Sequence, residues 1–175
     1  MKYLVMCEGP NEVEIMNILI DNDLLSISRD DLLDLRVFHA RQINSNAAVR
    51  TAINLYPNKI IVLRIGDTLK DELKVTKEYK NKIDEIRKYC TKPEVEILLI
   101  ICENLIKEYE KVKSKTSPKS FCKEHVKNNK CKYDNSTKFY TNYFSQPQNL
   151  VNALKTYKRI HTNKKDELYL ADLLK

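Results

Sequence analysis

An α/β fold, built on a small, mostly parallel sheet of about four strands with helices on both faces and further helices at the C-terminus, is what this chain predicts. Three observations carry the expectation. Apolar strand runs alternate with amphipathic segments, and one of them, NKIIVLRI, carries a continuous Ile-Ile-Val-Leu run, as in strands buried on both faces of a parallel sheet. The chain has only two glycines, Gly9 and Gly66, and each closes a strand run beside a carboxylate.

Taken in order, KYLVMC reads as the first strand and NEVEIMNILIDNDLL as the first helix, with Val13, Ile15, Met16, Ile18, Leu19 and Ile20 as its apolar residues. LDLRVFHARQI is a second strand. A short helix is expected from Ser45, as its N-cap, through AAVRTAINLY to a stop at Pro57. NKIIVLRI follows, and the charged LKDELKVTKEYK leads to a weaker strand, KIDEIRKYC. TKPEVEILLIICENLIKEYEKVK reads as one helix with Pro93 at its first position and a deeply packed first half. SPKSFCKEHVKNN, QPQNLVNALKTYKRI and DELYLADLLK complete the chain as helices, with Ser117 and Ser145 as start signals. The expected division is a core over residues 1–110 and a basic, helical extension over 111–175 packed on the same domain.

Hydrophobic residues at 42% and charged residues at 31% argue against wholesale disorder. No apolar run approaches the roughly 20 residues of a membrane span, and no signal-peptide series opens the chain, so a cytoplasmic protein without membrane partners is expected. Five cysteines without paired spacing fit reduced thiols rather than disulfides. The net charge of +7 is concentrated: between Lys111 and Lys138 nine lysines face only Glu124 and Asp134. Such a block suits phosphate backbones, and a solvated lysine-rich surface is the alternative. Lys113, Lys115, Lys119, Lys123, Lys130 and Lys132 are the candidate nucleic-acid contacts, with Tyr140 among the interleaved aromatics as a stacking platform or, alternatively, a core residue.

Ligands of open α/β sheets bind at the carboxyl ends of the strands, so Glu8 and Asp67, each at the end of a strand, converge there if the first and third strands are neighbours. Glu12 at the first helix start, and Glu94 and Glu96 ahead of the apolar ILLII run, add carboxylates to the same edge; each also suits a helix N-terminus without any ligand. Crowded carboxylates repel unless a cation shares them, and Mg²⁺ (or Mn²⁺) is the simplest neutraliser. The candidate metal ligands are Glu8, Asp67, Asp71 and Glu96, and the candidate catalytic residues are Glu8, Asp67, Glu12 and Lys70, with Lys70 or Arg64 balancing developing charge.

Leu4-Val5-Met6-Cys7-Glu8-Gly9-Pro10-Asn11-Glu12, together with Ile60-Ile61-Val62-Leu63-Arg64-Ile65-Gly66-Asp67, resembles the strand-one and strand-three motifs of the Toprim domain, a Rossmann-like catalytic module. Pro93-Glu94-Val95-Glu96-Ile97-Leu98-Leu99 is similar to the acidic helix start of small Toprim-like proteins of bacterial defence loci, and the resemblance covers roughly residues 2 to 110. It implies a strand-one Glu acting as general acid/base or metal ligand and a Mg²⁺-dependent nuclease acting on DNA or RNA, in phage defence. The family's Asp-x-Asp departs here: Asp67 matches its first Asp, but Leu69 stands at the second, with Asp71 and Glu72 the nearest substitutes. That leaves a second metal and the activity itself open. The alternative is a catalytically inactive Toprim-like module that binds nucleic acid or a partner protein, and a third class is a subunit docking on a larger ATPase.

Other chemistries find less support. Cys122, His125 and Cys131 lack a fourth ligand at zinc-site spacing, so no zinc is expected. No nucleophile elbow is present, and two glycines are too few for a P-loop or dinucleotide loop.

Overall fold

The computed structural model describes residues 1–67, 72–129, 131–161 and 167–175. Strand β1 (Lys2–Cys7) is followed by α1 (Pro10–Asp21), β2 (Leu32–His39), α2 (Ala47–Leu55), β3 (Ile60–Gly66), α3 (Lys77–Lys80) and β4 (Ile83–Cys90). Next come α4 (Ile97–Cys102), α5 (Ile106–Val112), α6 (Pro118–His125), the two-residue strands β5 (Lys127–Asn128) and β6 (Cys131–Lys132), α7 (Thr137–Tyr143), α8 (Pro147–His161) and β7 (Leu168–Tyr169).

Five strands form one sheet in the order β2-β1-β3-β4-β7, with every neighbouring pair parallel. Side chains alternate across it, and the alternation sorts them into two apolar layers. Leu4, Met6, Ile60 and Val62 pack with Val49 and Ile53 of α2 on one face. Val5, Leu63 and Ile65 pack on the other with Ile15, Leu98 and Leu154 of α1, α4 and α8. Helices on both faces leave β3 buried along its whole length, which is why Ile60–Leu63 run apolar without interruption before the buried Arg64.

Register decides where the ends of the strands fall. Cys7 of β1 lies opposite His39 of β2 and Ile65 of β3, and Gly66 lies opposite Cys90 of β4. Four carboxyl ends therefore share one rim. The chain places β2 on one side of β1 and β3 on the other, so the topological switch point, where crevices open in such sheets, falls between the ends of β1 and β3.

The α/β architecture is as the sequence predicts, and several elements differ in detail. The N-cap of α2 is Asn46 rather than Ser45, its side chain accepting from the Val49 N–H at 3.1 Å. The long helix expected after Pro93 starts only at Ile97 and is cut in two. Asn104 takes the left-handed conformation (φ 57°), and the Leu105 N–H reaches back to the Ile100 carbonyl at 2.9 Å, a Schellman closure that ends α4. DELYLADLLK is no α-helix: Leu168–Tyr169 pair in parallel with Tyr89–Cys90, and a 3₁₀ turn follows over Leu170–Leu173. The region after residue 110 thus supplies the fifth strand, and its Phe121, Tyr140 and Leu150 share one apolar cluster with Val5 and Leu63. No helix among the described residues is long and apolar enough to cross a membrane.

Candidate functional site

At the end of β1 the Glu8 N–H still donates to the Ile65 carbonyl at 3.0 Å, so this residue stays in register with β3 before the chain turns. Gly9 then caps α1 in an extended conformation, and Pro10 opens the helix where its missing N–H costs nothing. Neither glycine has positive φ. Their use is space: a Cβ on Gly66 would overlap the Glu8 carboxyl group, and one on Gly9 would stand 2.5 Å from Glu12 Oε2.

The Glu8 side chain lies across the end of β3, with Oε2 accepting from the Asp67 N–H at 3.1 Å and Oε1 facing the Arg64 guanidinium at 4.0 Å. Arg64, itself buried, also donates to the Arg41 carbonyl at 3.3 Å. His39, at the end of β2, has its ring Nε2 3.1 Å from the Glu8 carbonyl. Glu8 and Asp67 therefore meet at one rim, as their positions in the sequence predict.

Glu12 and Glu96 are buried beside them. Burial pushes the Glu12 carboxyl up to about 7; its own backbone N–H at the helix start pulls it down, while the charges of Glu96, Asp67 and Glu8 raise it further. Glu96 accepts from the Tyr133 hydroxyl at 2.6 Å, and Tyr140 stands behind it, 3.3 Å hydroxyl to hydroxyl. Burial raises the pKa of both tyrosines, so both hydroxyls keep their protons. Glu94 is occupied differently, accepting from the Lys119 N–H at 2.9 Å in the first turn of α6. Asn11, 6% exposed, donates through Nδ2 to Asn135 Oδ1 at 3.1 Å, and its own Oδ1 is buried with no hydrogen-bond partner.

Together these residues line a cleft of about 170 Å³, with Glu8, Glu12, Asp67, Glu94 and Glu96 as its acids and Arg41 and Lys119 as its cations. Asn11 and Asn135 line it as well. Among the described residues no three His, Cys, Asp or Glu side chains stand close enough to enclose a metal by themselves. The donor set still fits Mg²⁺, which keeps several waters and takes only one or two carboxylates from a protein, and the unpaired Asn11 oxygen is one more hard donor.

Other expected residues fall elsewhere. Lys70, Asp71 and Lys130 lie outside the described residues. Lys113 is exposed and paired with Glu110 at 2.5 Å, Lys115, Lys123 and Lys132 are exposed, and among the described lysines of the block Lys119 lines the cleft. Tyr140 is wholly buried, so its ring offers no stacking face; the core alternative holds, because α7 packs that ring into the same aromatic cluster as Tyr133 and Phe144. Cys122 is buried while Cys131 is exposed. His125 lies over the Phe121 ring, with centroids 4.2 Å apart.

Sequence reasoning missed Asn11, Arg41, Tyr133 and Asn135. Asn11 sits inside the strand-one motif, but an amide carries no charge signal. Tyr133 and Asn135 approach the cleft only through tertiary folding. In comparisons with protein-family models, curated proteins and solved structures, nothing matches this chain.

Proposed function

We propose that the cleft is the active site of a Mg²⁺-dependent (or Mn²⁺-dependent) phosphodiesterase that hydrolyses DNA or RNA. The observation that carries this reading is the crowding of Glu12 by Glu96, Asp67 and Glu8 at the switch point of the sheet, with two cations on the same wall. Buried like charges at a ligand crevice are what a shared cation relieves. Glu8 and Asp67 would hold the ion, with Glu12 and Glu96 reaching it through water. The ion supplies the charge that polarises a phosphate.

The chain's own groups do the rest. Beside the cation Glu12 would be ionised, and its carboxylate would accept the proton of the attacking water as the water oxygen bonds to phosphorus. The bond from phosphorus to the leaving oxygen breaks, and that oxygen takes a proton from solvent. Arg41 and Lys119 bind non-bridging phosphate oxygens. Exposed lysines of the 111–138 segment extend the contact along the backbone. We place this activity in the cytoplasm, on the five free thiols, and in defence against phage on the Toprim resemblance alone.

The second reading, a binding module without catalysis, is favoured by Leu69 where the resemblance has Asp. DNA and RNA panels incubated with Mg²⁺ or Mn²⁺ separate the two, comparing wild type with Glu8→Gln and Asp67→Ala. Cleavage by the wild type that is lost in both variants supports the hydrolase, provided both still melt cooperatively. Retained binding without cleavage in any form supports the module. A subunit of a larger ATPase assembly would instead co-purify with that partner and show little activity alone.

A further inference from the structure

The carboxamide of Asn11 is turned in a way that its own surroundings do not explain. Its side chain is buried in the first turn of α1, and Nδ2 is committed to Asn135 Oδ1 at 3.1 Å. The end left without a partner is the oxygen, and Asn11 lines a cleft whose acids are Glu8, Glu12, Asp67, Glu94 and Glu96. An amide oxygen cannot donate to a carboxylate. A carboxamide free to choose would offer its NH₂ to the acids instead. Asn135 prevents that choice, and it is itself held in place: it sits in the left-handed conformation (φ 65°) with Oδ1 3.0 Å from the Tyr133 hydroxyl.

A buried acceptor without a partner, on a residue that lines an acidic cleft, is satisfied by a cation that the acids also attract. We infer that Asn11 Oδ1 is a ligand of the divalent cation in this cleft and that Asn135, from the C-terminal region, is the residue that orients it; this rests on the cation of the hydrolase reading above. A neutral oxygen suits the place, because it adds a hard donor without adding a further negative charge to the cluster. Asn135 then stands to Asn11 as outer partners stand to metal ligands generally, fixing which atom faces the ion. The segment after residue 110 thereby becomes part of the cation site.

The test uses the full chain stripped of metal and titrated with Mn²⁺, reading free Mn²⁺ by electron paramagnetic resonance and stability by thermal melting, with no substrate present. Asn11→Leu is expected to weaken Mn²⁺ binding by about tenfold or more, and Asn135→Ala by a similar factor of about tenfold because the carboxamide is no longer oriented. Asn11→Asp keeps the oxygen and adds a charge, so it is expected to bind Mn²⁺ more tightly than wild type and to gain more thermal stability on adding it, even if its metal-free form melts lower. Should Asn11→Leu bind like wild type, or Asn11→Asp fold and bind worse, the assignment of Asn11 is overturned while the cation reading stands. Absence of Mn²⁺ uptake by the wild type overturns both.

Discussion

The Glu8 carboxyl group occupies the space that a side chain on Gly66 would need, although the two residues stand at the ends of neighbouring strands and are far apart in sequence. β3 ends without a Cβ so that the carboxylate of β1 can cross it, accept from the Asp67 N–H at 3.1 Å and face Arg64. One residue without a side chain thus brings both strand-end acids to one cleft.

Gly66→Ala therefore should destabilise through Glu8 and not through its own backbone, since Gly66 does not have positive φ. Overpacking of this kind costs about 1–3 kcal/mol. A double-mutant cycle with Glu8→Ala isolates it, because removing the carboxyl group frees the space. Urea midpoints should give a Gly66→Ala penalty much smaller in the Glu8→Ala background. Equal penalties in both backgrounds would show that Glu8 does not fill the gap.

Glu12 makes stability depend on pH in a definite direction. Its pKa is about 7 in the folded chain against an ordinary value of 4.5, so between those values the native state binds more protons than the unfolded one. Stability from this group is complete below about pH 4.5 and is lost as pH rises through about 7. A shift of that size amounts to about 3 kcal/mol. Glu12→Gln should match or trail wild type at pH 4.5, gain on it steadily up to pH 8, and cancel that part of the slope. Saturating Mg²⁺ should flatten the wild-type slope over the same range, because a bound cation favours the ionised carboxylate. Parallel profiles for the two proteins would remove Glu12 from the account.

The strands and the acidic rim were legible because their signals are local. The IIVL run of β3 is apolar since both faces are covered, and Glu8 and Asp67 sit where strand runs meet glycine. The break at Asn104 was not legible, because apolar residues continue on either side and only the left-handed backbone ends the helix. Two-residue β7 has no period to read; it exists because Leu168–Tyr169 find the end of β4. The part played by Tyr133 was hidden for the same reason, since nothing near it in sequence points to Glu96.

The Tyr133 bond to Glu96 is testable on its own. Hydrogen bonds to charged groups contribute about 1.5–3 kcal/mol, so Tyr133→Phe should lower stability by about that amount. The effect should shrink in a Glu96→Gln background, where the hydrogen bond removed is a neutral one. Chemical denaturation of the four proteins measures it. A Tyr133→Phe protein as stable as wild type would mean that Glu96 is satisfied without the hydroxyl.

Among the lysines of the basic segment, position in the fold should rank their effects on nucleic-acid binding. Lys119 and Arg41 line the acidic cleft, whereas Lys113 is exposed and already paired with Glu110 at 2.5 Å. Removing one cation that neutralises a phosphate lowers the slope of log affinity against log salt by about 1. Fluorescence anisotropy across a salt series should therefore show Arg41→Ala and Lys119→Ala each flattening that slope by about 1, and Lys113→Ala by less. If all three flatten it equally, the lysine block acts as a diffuse charged surface and the two cations of the cleft have no special hold on phosphate. If only Lys119→Ala and Arg41→Ala matter, the polynucleotide backbone runs past the carboxylates, where hydrolysis requires it.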